Sequence, residues 1–206
     1  MARVLIVEDD PMARKLLEIF IMASKNYQLE HSIDSAAMAE FYCAANKIEL
    51  ILMDICTAMG ASGLDAAARI KEKFPYIKVI IMTSYPEYSF IERARACGVE
   101  SFWYKTSVAE EIMSIMDRTM MGESIYPDTL PSVCIGNARS EEFTKTELSV
   151  LREVVLGKTD AVIAANLHMS LRTVKTHIQN MREKTGFRNR TELAVKTRES
   201  GFVIKT

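Results

Sequence analysis

The sequence predicts an α/β fold with a parallel, doubly wound sheet, followed by a small all-α domain. Three observations carry this. Short β-like apolar runs alternate with amphipathic helical stretches over the first ~120 residues; a polar stretch with Pro and Gly interrupts the pattern; and the tail is purely helical and basic. The runs RVLIV, QLEHSI, ELILM, IKVIIM and ESFWY each precede a helical pattern. Strand then helix, repeated, places neighbouring strands parallel, because each crossover returns the chain to the same end of the sheet.

The elements follow in order. Asp10 is placed to cap the first helix with Pro11 at its first position. Along that helix Met12, Leu16, Ile19, Phe20 and Ala23 recur at helical spacing and are expected to face the core. Pro86 and Glu87 are expected to open a later helix. From Gly122 the pattern lapses into GESIYPDTLPSVCIGNARSEE, an expected linker over 122–142 between a domain at 1–121 and another at 143–206.

The second domain opens on TKTE, a capping box in which Thr144 accepts a backbone N–H and Glu147 reaches back. Leu148, Leu151 and Val155 follow on one face, and Gly157 stops the helix. In TDAVIAANLHMSLRTVKTHIQNMREKTG two helices meet at a short turn, with Ile163 and Leu167 inward and Ser170 capping the second. On that second helix Leu171, Val174, Ile178 and Met181 form the apolar stripe, and Arg172, Lys175, Thr176, Gln179 and Arg182 line another face.

Composition sets the class. Of 206 residues, 49% are hydrophobic and 26% charged, as in an ordinary globular protein. No apolar run approaches the ~20 residues of a spanning helix, and MARVLIVEDD turns acidic where a signal peptide would stay apolar, so the cytoplasm is the expected location. Cys43, Cys56, Cys97 and Cys134 lack CxxC spacing, which argues against a zinc site or a redox pair. Charge is split: residues 143–206 hold 12 Lys and Arg against 6 Asp and Glu, a net of +6, while residues 1–142 hold 14 against 21, a net of −7. A basic tail suits a polyanionic partner.

Strand ends carry the chemistry. The first ends in Glu8, Asp9 and Asp10, the third in Asp54, the fourth in Thr83 and Ser84, the fifth in Lys105. In a doubly wound sheet these carboxyl ends share one edge. A carboxylate such as Asp54 can act as nucleophile toward phosphorus. Mg²⁺ prefers oxygen ligands, which Glu8, Asp9 and Asp54 supply; Lys105 adds a point charge and Thr83 a hydroxyl donor. No water-activating base stands beside them in the motif, so at most slow turnover is expected.

The set IVEDD, LMD with Asp54, IIMTS with Thr83 and FWYKT with Lys105 resembles the receiver domain of bacterial two-component response regulators. That resemblance implies a flavodoxin-like five-stranded sheet in the order 2-1-3-4-5, Asp54 as phosphoacceptor and a sensor histidine kinase as donor. It implies Mg²⁺ held by Glu8, Asp9, Asp54 and the Cys56 backbone carbonyl, and Phe102 as the aromatic that rearranges with the Thr83 hydroxyl. The sequence departs from the family pattern in two places. DICTAMGASGL lacks the usual Pro and reaches Gly63 one residue late, which predicts a looser loop, and Thr106 follows Lys105 where Pro is commonest.

The segments FTKTELSVL, VIAANL, TVKTHIQNM, KTG and NRTELA resemble the LuxR-type, four-helix DNA-binding domain of the NarL/FixJ class. The resemblance makes the TVKTHI helix the recognition helix, with Lys175, Thr176 and Gln179 toward bases. Arg172, Arg182, Arg188 and Arg190 are expected on phosphates, where they make binding salt-dependent. The whole then reads as a regulator, not an enzyme, in which phosphorylation controls homodimerisation and binding to double-stranded promoter DNA. A phosphohydrolase similar to the aspartate-based phosphatases would need an acid two residues after Asp54, where Cys56 stands. A receiver that never takes phosphate, joined to a constitutive DNA binder, is the alternative.

Overall fold

The computed structural model describes residues 1–105, 109–129 and 131–203. The chain divides into two compact units, one of Met1–Ser84 with Ser89–Asp128 and one of Tyr85–Tyr88 with the chain from Thr129 onward.

In the first unit, strands β1 (Ala2–Val7), β2 (Tyr27–Ile33), β3 (Leu50–Asp54), β4 (Lys78–Thr83) and β5 (Ser101–Tyr104) form one sheet in the order β2-β1-β3-β4-β5. All four pairings are parallel. Helices α1 (Pro11–Ala23), α2 (Ala39–Ala45), α3 (Gly63–Lys73), α4 (Phe90–Ala96) and α5 (Ala109–Met120) connect or follow the strands. Alternate residues of the buried strands serve opposite faces. Val4, Ile6, Leu50, Leu52, Ile80 and Met82 pack with Leu17 and Ile21 of α1 and with Ile112, Ile115 and Met116 of α5. Because β3 is buried along its whole length, it reads as a continuous apolar run and not as an alternating one.

Two local expectations are corrected. On α1 the buried residues are Leu17 and Ile21, whereas Met12, Leu16 and Ile19 are exposed by 82%, 48% and 51%. The helix is apolar on both faces, so periodicity alone could not select the inner one. Helix α4 begins at Phe90, with Ser89 in the N-cap position, and not at Pro86. The fully buried Phe90 ring anchors its first turn.

The second unit contains a two-stranded hairpin, β6 (Cys134–Ile135) with β7 (Ala138–Arg139), and helices α6 (Lys145–Val155), α7 (Asp160–Asn166), α8 (Leu171–Thr185) and α9 (Arg190–Glu199). Ile135 and Ala138 pack into the same core as Val150, Leu151, Val154, Ile163, Val174, Ile178, Met181 and Leu193. The stretch expected as linker up to 142 therefore supplies core residues to this unit from the hairpin onward. Glycine at 136, with φ of 63°, makes the hairpin turn, and a Cβ there would meet the Thr185 carbonyl at 2.2 Å. Leu171, expected in the apolar stripe of α8, is 45% exposed; the buried stripe runs through Val174, Ile178, Met181 and Thr185.

Candidate functional site: an acidic pocket and a basic helix

Sheet topology brings the predicted strand-end residues together. Glu8 follows β1, Asp54 ends β3, Thr83 ends β4 and Lys105 follows β5. The Lys105 ammonium lies 2.6 Å from Glu8 Oε2 and 3.0 Å from Asp54 Oδ1. Glu8 is fully buried and Asp54 is 5% exposed, while Asp9 faces solvent. Ligand oxygens of Glu8, Asp9 and Asp54 all lie within 4.8 Å of one another.

Backbone contacts fix the carboxylates. The Ile55 N–H donates to Asp54 Oδ1 at 2.9 Å and the Asp10 N–H to Glu8 Oε1 at 3.2 Å. Asp10 caps α1 as expected, accepting from the Met12 and Ala13 amides, and Arg14 donates to the Glu8 carbonyl at 2.7 Å. On the opposite side of the pocket the Lys105 N–H donates to the Thr83 carbonyl at 2.8 Å, which ties the ends of β4 and β5. The Thr83 side chain and the Phe102 ring are both buried, with Phe102 5.0 Å from the Tyr104 ring and 6.4 Å from Tyr126. Thr106 lies outside the described residues.

Burial pushes the Asp54 carboxyl up to about 7; Lys105 beside it opposes that rise, and Glu8 and Asp9 reinforce it. Burial would lower the Lys105 ammonium, but Asp54 and Glu8 outweigh it and hold its pKa above the ordinary lysine value. Two carboxylates thus share one ammonium, with the third, Asp9, close by at the solvent edge. This is a donor set that a hard divalent cation with oxygen ligands fits, since a second positive centre relieves the like-charge crowding. Next to the pocket, burial pushes the Cys56 thiol up to about 12, with Asp54 adding to the rise. At neutral pH that thiol is protonated and poorly suited to relaying protons for a hydrolase.

The loop after Asp54 is not loose. Met59 and Gly60 take left-handed conformations with φ of 61° and 68°, which turn the chain within the loop. Cys56 and Ser62 form an isolated antiparallel bridge, and the Gly63 N–H returns to the Ile55 carbonyl at 2.8 Å. A Cβ on Gly63 would sit 1.8 Å from the Asp54 carbonyl, so α3 reaches the acceptor strand only through a glycine. Sequence reasoning missed Thr57, the buried side chain that joins this loop to its neighbour.

In the second unit α7 and α8 form the expected helix-turn-helix. Ser170 caps α8 by accepting from the Thr173 amide at 3.0 Å, and Gly186 ends it at φ of 76°. Arg172, Lys175, Thr176 and Gln179 are exposed on α8, and Arg188 is exposed after it. Gln179 donates to Glu183 at 2.7 Å and accepts from Arg182 at 3.1 Å. Arg182 also donates to the Arg188 carbonyl, and Arg190 pairs with Asp160 at 3.6 Å and donates to the Lys158 carbonyl. Arg182 and Arg190 are therefore half-buried clamps within this unit as well as cations.

Comparison with known proteins agrees with this architecture. Residues 4–117 match the response regulator receiver domain, and residues 141–197 match the bacterial regulatory proteins of the luxR family. Response regulator protein VraR of Staphylococcus aureus is 29% identical over 198 residues, covering 94% of each chain. Among solved structures, two RcsB dimers bound to two parallel DNAs give a TM-score of 0.65 at 15% identity over 96% of this chain and 98% of that one. RcsB of Salmonella enterica serovar Typhimurium, bound to promoter rprA with a phosphomimetic, gives 0.64 at 16% identity over 95% and 98%. At these identities the two structures speak for the fold. With the first match spanning more than half of the chain, the protein belongs to the two-component response regulators that carry a receiver domain and a LuxR-family DNA-binding domain.

Proposed function

We propose that the protein is a transcription regulator switched by Mg²⁺-dependent phosphorylation of Asp54, with a sensor histidine kinase as donor, acting in the cytoplasm. The observation that carries this is the single ammonium of Lys105 shared by Glu8 and Asp54 at 2.6 and 3.0 Å in a pocket with a third carboxylate. An Asp54 oxygen attacks phosphorus, the bond from phosphorus to the donor breaks, and an acyl phosphate remains on Asp54. Glu8, Asp9 and Asp54, with the Cys56 carbonyl, would hold Mg²⁺, which when bound neutralises charge on the phosphoryl oxygens. Lys105 then moves from the carboxylate to the phosphoryl group as a point charge. Glu8 stays behind as a buried, fixed anion.

The added charge near −2 draws the Thr83 hydroxyl, and Phe102 repacks with it. The changed receiver surface favours a homodimer, which suits paired half-sites on double-stranded DNA. RcsB, whose fold this chain shares, has been seen as dimers on DNA, which supports that arrangement. On DNA, Lys175, Thr176 and Gln179 read base edges, and Arg172 and Arg188 neutralise phosphates, with Arg182 and Arg190 contributing from their clamped positions. The protein is a phosphoacceptor with at most slow self-dephosphorylation; residues 1–121 act as switch and 143–206 as output, with the hairpin of the expected 122–142 linker built into the output unit's core.

Incubation with acetyl phosphate and Mg²⁺ tests the reading by intact mass. The account expects a gain of ~80 Da for one phosphoryl group, lost in Asp54→Ala and with EDTA. No gain under conditions that label another receiver would favour the phosphate-independent DNA binder.

A further inference from the structure

We propose that Thr57 is a positioning residue of the phosphoacceptor pocket, a hydroxyl that sets the direction of the Cys56 carbonyl in a loop without proline. This rests on the phosphoacceptor reading given above. The loop runs from Asp54 to Gly63, and Thr57 is 5% exposed within it. Its hydroxyl accepts from the Ala36 N–H at 2.9 Å and donates to the Ala61 carbonyl at 2.7 Å. The same Ala61 carbonyl accepts the Thr57 backbone N–H at 3.2 Å.

The geometry of one peptide unit makes these contacts matter. The Cys56 carbonyl and the Thr57 N–H belong to the same planar amide and point in opposite directions. Whatever holds the Thr57 N–H therefore aims the Cys56 carbonyl. Its acceptor, the Ala61 oxygen, is held in turn by the Thr57 hydroxyl. On the other side, Ile55 is fixed because its N–H donates to the Met82 carbonyl at 3.2 Å and its own carbonyl accepts from Gly63. Cys56 is thus suspended between two pinned residues.

The pin reaches beyond the loop. Ala36 begins the helical turn Ala36–Met38 after β2, and the Ala58 N–H donates to the Asp34 carbonyl at 3.0 Å while Ser35 Oγ donates to the Ala58 carbonyl at 3.1 Å. Three bonds tie the acceptor loop to the segment after β2, and the Thr57 hydroxyl makes the buried one. Where a proline would restrict the backbone by its ring, this chain restricts it by hydrogen bonding.

The test uses full-length Thr57→Val, which keeps the shape and removes the hydroxyl, Thr57→Ser, which restores it, and Thr119→Val as a control. Thr119 is a buried hydroxyl bonded to Ser101 at 2.7 Å, away from the loop. Phosphoryl uptake from acetyl phosphate is followed by intact mass across a Mg²⁺ titration. Backbone amide exchange over residues 55–63 is measured without Mg²⁺. Thr57→Val is expected to raise the Mg²⁺ concentration for half-maximal uptake about fivefold, the size of one lost hydrogen bond, and to speed exchange in the loop. Thr57→Ser returns both toward wild type, and Thr119→Val lowers thermal stability with neither change.

An unmoved Mg²⁺ midpoint in Thr57→Val, or an equal shift in Thr119→Val, overturns the positioning role while leaving Asp54 as acceptor. Wild-type protein that takes up no phosphoryl group at any Mg²⁺ concentration overturns the acceptor reading and this role with it.

Discussion

The acidic pocket and the outer face of α8 both gather charge, but they do so by opposite means. In the pocket, Glu8, Asp54 and Lys105 come from strand ends far apart in sequence, are nearly excluded from water, and touch one another across the sheet edge. On α8 the polar residues lie within a single 15-residue helix, mostly face solvent, and pair locally, as Gln179 does with Glu183 and Arg182. The pocket is organised before any ligand arrives, whereas on the proposed recognition helix DNA would have to displace these local partners. Long-range burial builds a rigid site for chemistry; local exposure builds an adaptable surface for recognition.

The largest expected effect breaks the pocket. Lys105→Met leaves Glu8 and Asp54 without their shared cation, so urea titration of the variant should show a loss of about 3 kcal/mol, the usual cost of breaking a buried pair. Phosphoryl uptake should vanish with it. On the exposed face, removal of a side chain should leave folding nearly untouched. Gln179→Ala is expected to relax preference at one operator position by ~1–3 kcal/mol, read by competition among single-base variants. Arg172→Ala should instead weaken all sequences alike and reduce the salt slope of binding by about 1.

Smaller effects sharpen the contrast between held and free segments. Met59 is 86% exposed in a left-handed conformation, so Met59→Gly should stabilise the receiver by about 1 kcal/mol in thermal unfolding, less the extra chain entropy glycine brings. In the DNA-binding unit Glu147 closes the capping box at Thr144 and pairs with Lys184 at 2.8 Å. Burial opposes ionisation of Glu147, but Lys184 and Thr144 outweigh it, so its folded pKa lies below the ordinary glutamate value. The stability it adds is therefore present above the unfolded pKa and is lost as pH falls through the folded one. Glu147→Gln should flatten that acid limb of the stability curve by roughly 1 kcal/mol.

Residues whose chemistry is unusual for their place were legible in the sequence. A carboxylate at the end of an apolar strand, or a capping box before an apolar stripe, carries its own explanation, and Asp54 and Thr144 stand where that logic puts them. Choices between equivalent patterns were not legible. Helix α1 offers apolar residues on two faces, and only docking on the sheet selects Leu17 and Ile21 over Met12, Leu16 and Ile19. The hairpin residues Ile135 and Ala138 sit among turn formers, and their burial depends on a core assembled from helices further along the chain. Thr57 is the sharpest case, since a threonine among small residues has no periodicity to mark it. Its partners at Ala36 and Ala61 exist only once the two loops meet.

The central claim is that chemistry in the first unit governs recognition by the second. The most direct test is fluorescence anisotropy of a DNA fragment, selected from a random pool by the full-length protein, titrated with phosphorylated protein, unphosphorylated protein and Asp54→Ala. The account predicts at least ~10-fold tighter binding by the phosphorylated form, within the usual range of allosteric coupling, and no response to acetyl phosphate in Asp54→Ala. Equal affinity in all three would contradict it and leave the DNA-binding unit as a constitutive reader.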